Sequence, residues 1–229
     1  MPLTPLESLR LQLSGCEDCG STDITFTKKG LRKEIPRVRI PKSATSLIDS
    51  SLQPVPGSGS VHPKYCIIGE APGEDEDIVG EGFVGYSGTY LRQRLLRIAG
   101  IQSSQVAFLN TIRCHPLKNR NPYASEIKQC SKWLEAELAL LKPEVILAVG
   151  KIATKYFLPD TNLKSGHGQV FVDSQGRTVI PLYHPAAVDR AIPRRVLEKD
   201  YQDIRAKLKL SRSMTYLMLT EYLSIAQRS

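Results

Sequence analysis

The sequence predicts a three-layer α/β/α fold, in which helices cover both faces of a central, mainly parallel, four-stranded sheet. Short continuous apolar runs, which are typical of strands buried on both faces, occur at residues 65–68, 106–109 and 145–149. Segments with helical apolar spacing follow these runs at residues 89–99, 124–141 and 150–157. Strands that alternate with helices indicate a parallel sheet covered on both faces.

The fourth strand is expected near the end of the fold. Residues 169–173 and 177–182 read as two strands that are joined by a turn at Gln175 and Gly176. Residues 197–208 then form a basic amphipathic helix, and residues 213–226 form another helix with an apolar face. We therefore expect one domain over residues 1–229, with a helical extension over residues 210–229.

The amino-terminal segment reads as a short helix that delivers a pair of cysteines. Leucines recur at helical spacing over residues 3–13, Thr4 is placed to cap this helix, and Cys16 and Cys19 follow it. Residues 28–42 are basic and residues 43–60 are rich in Ser, Pro and Gly. Such a composition buries little surface, so residues 28–60 are interpreted as an extended insertion, either a phosphate-contacting arm or a solvated loop.

Composition and charge indicate the compartment and the partner. The 229 residues are 41% hydrophobic and 24% charged, and they carry a net charge of +8, which favours a polyanionic partner such as nucleic acid. No apolar run is long enough to span a bilayer, and no secretory signal is recognised. We expect a cytoplasmic monomer with access to DNA and no membrane contact.

The segment over residues 64–88 organises the predicted site. Its apolar strand breaks at Gly69-Glu70-Ala71-Pro72-Gly73, a turn at the carboxyl end of a strand, where open α/β sheets place their ligands. Phe83 then lies among four glycines, an arrangement that suits a ring stacked on a flat ligand. The alternative is a tight strand-to-helix turn followed by a solvated acidic tail at residues 74–77.

Two further strand ends carry polar side chains. Asn110 follows the second strand and His184 follows the last, so parallel neighbouring strands would bring them and Glu70 to one crevice. Such a crevice fits a flat, hydrogen-bonding heterocycle. Singly, Asn110 is also explained as a turn cap, and His184 as a satisfied histidine beside a proline.

The spacing of four cysteines indicates a metal or cluster site. Cys16 and Cys19 form a C-x2-C pair, and Cys114 and Cys130 follow with fifteen residues between them. A structural zinc site usually shows two tight pairs, whereas an iron-sulfur cluster tolerates dispersed thiolates, so the pattern fits a cluster better and leaves zinc open. Cys66, between apolar residues of the first strand, is interpreted as a small buried hydrophobe.

Three motifs resemble those of the family 4 uracil-DNA glycosylases. They are the GEAPG turn with its glycine-rich continuation through Phe83, the segment from Asn110 to Cys114, and His184-Pro185-Ala186. The resemblance covers residues 6–20 and 64–208. It implies a monofunctional glycosylase that hydrolyses the N-glycosidic bond of deoxyuridine in DNA, and a [4Fe-4S] cluster on Cys16, Cys19, Cys114 and Cys130.

The resemblance also implies a role for each residue of the crevice. Asn110 would bind the Watson-Crick edge of uracil, and His184 would donate to O2 of the departing base. Glu70 would orient or activate the attacking water, and backbone groups of Gly69 and Ala71 would complete the cradle. An enzyme of this kind must extrude its target base, so Ile192 is a candidate wedge, while Arg190, Arg194 and Arg195 would hold phosphates. A basic helix entry with no DNA contact is the alternative for that last segment.

The sequence departs from the family pattern beside Phe83. Glu81-Gly82 stands where the family usually carries a basic residue and proline, which adds an acid and loosens the loop. A catalytically silent iron-sulfur DNA-binding relative is therefore an alternative function, and a zinc-stabilised interaction module is another. The sequence assigns no role to His115.

Overall fold

The computed structural model describes residues 2–16, 18–19, 47, 51–188 and 190–226, apart from the side chains of residues 212 and 214–226. Most of the predicted insertion at residues 28–60 lies outside the described residues, as does the end of the predicted extension. Within the described ranges, every helix is too short or too polar to traverse a lipid bilayer.

A six-stranded sheet forms the centre of the molecule, in the spatial order β1-β3-β2-β4-β6-β5. The strands are β1 (Ser58–Gly59), β2 (Tyr65–Gly69), β3 (Val106–Asn110), β4 (Val145–Val149), β5 (Phe171–Val172) and β6 (Thr178–Leu182). The four inner strands are parallel, and the two-residue edge strands pair antiparallel with β3 and β6. The predicted parallel sheet is confirmed, and β1 escaped prediction because Ser-Gly carries no apolar signal.

Helices cover both faces of this sheet. They are α1 (Pro5–Leu13), α2 (Glu74–Val79), α3 (Tyr86–Tyr90), α4 (Leu96–Ile98), α5 (Ala124–Leu141), α6 (Lys151–Phe157), α7 (Leu163–Gly166) and α8 (Arg194–Ala226). A π-helical turn at Leu91–Leu95 joins α3 to α4. Short 3-10 turns lie at Ser103–Gln105, Leu117–Asn119 and Pro185–Ala187.

Two apolar cores lie between the sheet and the helices, one on each face of the sheet. Ile67 points into the core that also holds Leu91, Leu95 and the buried side chains of α8, and its neighbour Ile68 points into the core beneath α1, α5 and α6. This alternation follows from the two-residue period of a strand. Each fully buried Leu or Ile stabilises the fold by about 1.5–3 kcal/mol, so both faces contribute and the strands read as continuously apolar.

Helix α8 differs from the prediction. The sequence predicts separate helices over residues 197–208 and 213–226, but the structure has one helix of 33 residues, Arg194–Ala226. No glycine or proline lies between the two predicted segments, and the intervening Lys209, Leu210 and Arg212 are good helix formers. The helix therefore continues through this region.

The order of the inner strands also differs from the prediction in one respect. The strands ending at Glu70, Asn110 and His184 are all parallel, but β4 lies between β2 and β6. The three carboxyl ends still share one edge of the sheet. His184 therefore lies one strand further from Glu70 than direct pairing would place it, and Gly150, which follows β4, lies against the His184 side chain.

Candidate active site

The end of β2 is fixed against the end of β3. Gly69 and Asn110 are register partners, and the Gly69 carbonyl accepts hydrogen bonds from both the amide and the hydroxyl of Thr111, at 2.9 and 2.8 Å. The amide of Ile112 donates to the Glu70 carbonyl at 3.1 Å. The predicted cradle role for the Gly69 backbone does not include its carbonyl, which Thr111 already occupies.

Gly69 instead provides space. A β-carbon at this position would lie 2.5 Å from Oδ1 of Asn110 and 3.0 Å from Cζ of Phe83. Those contacts are shorter than side chains tolerate, so only glycine lets the amide and the ring approach the same point of the backbone. The structure thus brings together Asn110 and Phe83, which the sequence separates by 27 positions.

Asn110 presents its amide to this space. The residue is only 5% exposed, and within the described part of the chain no protein group forms a hydrogen bond with its side-chain amide. Neither amide atom of Asn110 is among the fully buried, unpaired polar atoms of the described residues, so the amide faces accessible space. Its donor and acceptor are therefore available to a polar ligand.

Phe83 is held in an unusual conformation. Its φ angle is +62°, in the left-handed region that non-glycine residues rarely adopt. The ring is buried and packs 5.6 Å from that of Phe108. Gly88 makes this possible, because a β-carbon there would lie 2.3 Å from the Phe83 carbonyl carbon. Close packing of Gly88 against the Phe83 backbone therefore permits this conformation.

Glu76 connects the two glycine-rich segments, and the sequence did not single it out. One carboxylate oxygen accepts the amide hydrogen of Gly73 at 2.9 Å, and the other accepts that of Gly85 at 2.8 Å. The acidic run at residues 74–77 is therefore only partly a solvated tail: Glu74 and Asp75 are exposed, while Glu76 and Asp77 are buried. The helical periodicity of residues 74–79 was the signal that could have distinguished the exposed acidic residues from the buried ones.

Asp77 anchors a different segment. Its carboxylate accepts hydrogen bonds from the hydroxyl of Ser51 and from the amides of Leu52 and Gln53. The Ser51 hydroxyl in turn accepts from the His115 amide at 3.1 Å, and Nδ1 of His115 lies 3.0 Å from the Pro72 carbonyl. His115 thus supports the GEAPG turn from behind.

His184 is held in one tautomer. Its Nδ1 accepts the amide hydrogen of Ala186 at 3.1 Å, so the neutral ring carries its proton on Nε2. Burial lowers the pKa of His184, and the nearby charge of Glu76 opposes that effect without cancelling it. At neutral pH the residue is therefore a neutral donor through Nε2.

Glu70 and Ala71 lie on the other side of the turn. Glu70 is half-buried, and burial raises its pKa above the usual range. Among the described residues, its carboxylate has no hydrogen-bonding partner, so the group is available to a water molecule or ligand. Ala71 packs toward the cysteine region described next.

The four predicted cysteines line a single pocket. Cys16, Cys19, Cys114 and Cys130 surround it together with Arg113 and Trp133. Trp133 Nε1 donates to Sγ of Cys16 at 3.2 Å. Cys66 is separate, fully buried beneath α5, in agreement with its prediction as a core residue.

The sulfur atoms do not form a single-ion site. In the ranges that the structure describes, no three His, Cys, Asp or Glu side chains are arranged to hold one metal ion. Burial raises the pKa of all four thiols, that of Cys19 to about 12, with the neighbouring sulfurs adding to the effect at Cys19 and Cys114. Four thiolates in this pocket would therefore need a positively charged partner.

A buried ion-pair network backs the pocket. Glu137, on α5, forms an ion pair with Arg113 at 2.6 Å. It accepts hydrogen bonds from Nε of Arg10 at 3.0 Å and from the Gly57 amide at 3.2 Å. Both Glu137 and Arg113 are almost completely buried. Removing Glu137 would leave the buried charge of Arg113 uncompensated, which costs about 3–5 kcal/mol. The network fixes α1, and with it the first cysteine pair, against α5.

Comparison with known proteins shows the family of this chain. The family model described as the uracil DNA glycosylase superfamily matches residues 56–206. The chain belongs to the uracil DNA glycosylase superfamily. It is 34% identical to the type-4 uracil-DNA glycosylase of Sulfurisphaera tokodaii, over 66% of this chain and 73% of that protein. It is 36% identical to the type-4 uracil-DNA glycosylase of Archaeoglobus fulgidus, over 66% of this chain and 79% of that protein.

The similarity is closer to the type-4 than to the type-5 branch of the superfamily. A type-5 uracil-DNA glycosylase of Thermus thermophilus is 31% identical over 58% of this chain and 68% of that protein. Type-4 relatives span 32–36% identity and cover more of this chain in most cases. The predicted family is confirmed.

The segment after His184 lies at the surface of the described structure. Arg190, Arg194 and Arg195 are exposed, and Ile192 is half-exposed and bridges to Val188. The Arg194 guanidinium lies 5.6 Å over the ring of Tyr90. These residues occupy the surface that the sequence prediction assigned to DNA, and their roles stay predictions.

Tyr86 was not predicted at this surface. It begins α3, which packs beside the 3-10 turn Pro185–Ala187, and its side chain is 86% exposed. An exposed aromatic ring beside the candidate crevice has a free face on which a flat ligand can stack. The glycine-rich context around Tyr86 gave no sequence signal of its orientation.

Proposed function

We propose that this chain is a monofunctional uracil-DNA glycosylase, which hydrolyses the bond between C1′ of deoxyuridine and N1 of uracil and leaves an abasic site for base-excision repair. The observation that carries the proposal is the unpartnered side-chain amide of Asn110, a residue only 5% exposed that lies beside Phe83 on the sheet edge that also bears His184. Membership of the superfamily supports the same reaction.

Recognition of uracil follows from the chemistry of a primary amide. Oδ1 of Asn110 would accept N3–H, and Nδ2 would donate to O4. Cytosine presents an acceptor at N3 and a donor at N4, so both contacts become mismatched. A site built for hydrogen bonds rejects such an analogue strongly, because its own polar groups are left unpaired. Phe83 would stack on the ring of the extruded base.

His184 would stabilise the leaving group. As the C1′–N1 bond breaks, its electron pair moves to the uracil ring and charge accumulates on O2. Nε2–H of the neutral imidazole would donate to that oxygen. The lowered pKa suits this role, because the bond from the Ala186 amide to Nδ1 exists only while Nδ1 is deprotonated.

Glu70 would act on the water. Its half-buried carboxylate would accept a proton from the water whose oxygen bonds to C1′, and uracil leaves as the anion or takes up a proton from solvent. The products are then free uracil and an abasic sugar. The raised pKa of Glu70 makes it a better base than an exposed carboxylate.

DNA would lie across the exposed arginines. Arg190, Arg194 and Arg195 would contact phosphates, and Ile192 would enter the stack in place of the extruded nucleotide. Extrusion costs less for uracil opposite guanine or in a single strand, so both substrates are expected to be cleaved.

Cys16, Cys19, Cys114 and Cys130 would hold a [4Fe-4S] cluster. The residues fit such a group because four thiols line one pocket. When bound, the cluster would supply a covalent cross-link between the amino terminus, the segment after β3 and α5, with no redox step in hydrolysis. Zinc is the alternative occupant, and measuring iron and zinc per protein chain distinguishes the two.

The test is a single-turnover assay on a labelled oligonucleotide that contains one uracil, either single-stranded or opposite guanine, followed by alkali. Breakage that depends on uracil is expected. Asn110→Ala and His184→Ala should each lower the rate by about 10²–10³-fold, whereas Asn121→Ala, at an exposed asparagine, should not. Intact uracil DNA with a protein that still binds DNA would favour the catalytically silent relative instead.

A further inference from the structure

The loop that carries Phe83 requires an external restraint. Phe83 has a positive φ angle, and a residue of this kind in the left-handed region costs about 1–3 kcal/mol unless its surroundings enforce it. Gly82 precedes it and adds backbone freedom. The restraint must therefore come from contacts made by other residues.

Arg92 makes those contacts. Its Nε donates to the Phe83 carbonyl at 3.1 Å, and its Nη2 donates to the Gly82 carbonyl at 2.8 Å. Its guanidinium also lies 3.7 Å from the centre of the Phe108 ring, and Phe108 packs against Phe83. The planar guanidinium of Arg92 thus bonds two consecutive carbonyls and packs on the Phe108 ring, which lies against Phe83.

The π-helical turn places Arg92 for this purpose. Leu91–Leu95 forms that turn, in which Leu91 and Leu95 are both buried in the core while Arg92 points toward the loop. Turns of this type are rare and occur frequently at functional sites. Glu81 adds a weaker contact, with Oε1 3.6 Å from Nη2 of Arg92.

We propose that Arg92 is a positioning residue that fixes the stacking ring of Phe83 for base excision, through its two bonds to the Gly82 and Phe83 carbonyls. The inference rests on the proposed glycosylase function and deepens it. In this chain the Arg92 guanidinium restrains a loop that Gly82 makes more flexible. Glu81 contacts Arg92, which gives this acidic residue a role within the loop.

The other explanation for an arginine here is a direct contact with a DNA phosphate. The side chain of Arg92 is 26% exposed, and its fork is already engaged by two carbonyls and an aromatic face. A phosphate contact and a positioning role lead to different outcomes. The first changes affinity for any DNA, whereas the second changes the rate of excision and leaves affinity for abasic DNA alone.

The experiment compares Arg92→Met, Arg92→Lys and the control Arg94→Met, which removes an arginine from the same turn that pairs with Glu198 instead. For each, the single-turnover excision rate, the affinity for abasic-site DNA and the thermal midpoint are measured. We expect Arg92→Met to excise about 10–100-fold more slowly, with affinity for abasic DNA within about twofold of the unsubstituted protein. Arg94→Met should match the unsubstituted protein.

The Arg92→Lys variant tests whether the two hydrogen bonds of the guanidinium or its positive charge is required. Lysine keeps a positive charge near Glu81 but cannot bond both carbonyls in one plane, so its rate should fall nearly as far as that of Arg92→Met. Full activity in either Arg92 variant would overturn the proposal. A parallel loss of rate and of affinity for abasic DNA would also overturn it, in favour of a phosphate contact.

Amide hydrogen exchange tests the restraint on the Phe83 loop even if the protein has no glycosylase activity. If the unsubstituted protein releases no uracil, the glycosylase proposal fails by itself. The restraint is then judged on the amides of residues 82–85, which should exchange faster in Arg92→Met than in Arg94→Met. Equal exchange in the two variants would show that Arg92 does not hold the loop.

Discussion

The carboxylate of Glu76 accepts the amide hydrogen of Gly85 at 2.8 Å, while its other oxygen accepts that of Gly73. One side chain therefore joins the turn that carries Glu70 to the loop that carries Phe83. The proposed water-activating group and the proposed stacking ring are set in place by the same carboxylate.

Glu76→Gln is expected to slow excision by about 10–100-fold. A glutamine side chain has one acceptor oxygen, so one of the two amides loses its partner at a stability cost of about 1–3 kcal/mol. Single-turnover rates and thermal midpoints check this. Glu74→Gln, at an exposed position of the same helix, serves as the control; equal rates for both variants would contradict the joining role.

Glu70 predicts a particular pH dependence. Because burial raises its pKa, the excision rate should fall as the pH decreases through a midpoint above the ordinary value of 4.5, where the carboxylate becomes protonated. Glu70→Gln should abolish this acidic limb together with most of the activity. A limb that persists in the variant would assign it to another group.

Although Glu70→Gln should lower activity, it should raise the stability of the folded protein. A raised folded-state pKa means that the folded protein binds the proton more tightly than the unfolded chain, so ionised Glu70 disfavours folding at neutral pH. Glu70→Gln is therefore expected to be more stable than the unsubstituted protein at pH 7, and the difference should vanish below pH 4.5. Denaturant midpoints at several pH values measure it.

Cys114→Ser should lose iron, visible absorbance and thermal stability together, since one of four proposed ligands is removed from a shared pocket. Cys66→Ala is the matched control: it removes a buried cysteine that does not line the pocket. It should keep its iron even if its midpoint falls. Iron retained at the full level in Cys114→Ser would exclude Cys114 as a ligand.

Arg195→Ala should weaken binding of uracil DNA and abasic DNA alike. Loss of one phosphate contact is expected to reduce the slope of log affinity against log salt by about one. Titrations at several salt concentrations measure the slope. Arg97→Ala, at another exposed arginine, should leave it unchanged, and identical slopes for the two variants would remove Arg195 from the DNA surface.

The sequence predicted the fold because it follows from local patterns, and the same patterns led to the proposed site residues. Continuous apolar runs identify the inner strands, and a polar residue directly after such a run must lie at the sheet edge, as Asn110 does. The cysteine spacing likewise identified the four residues that share a pocket. These inferences need only the strand direction and the order of the chain.

The supporting residues could not be predicted in that way. Arg92 and Glu76 act through side-chain directions that depend on a π-helical turn and on the inward face of a six-residue helix. The sequence shows only an arginine in a basic helix and an acid in an acidic run. The place of β4 between β2 and β6 was similarly hidden, because short apolar strands carry little information about which neighbour they pair with.

Only four positions separate Asn110 from Cys114, and the chain between them is tied at each step. Thr111 and Ile112 bond to the backbone of Gly69 and Glu70, and Arg113 is paired with buried Glu137. Because this connection is short and restrained, a displacement of Cys114 would also displace Asn110. A sample that has lost part of the proposed cluster should therefore contain two populations, one with the full excision rate and one inactive, rather than one population with a lower rate.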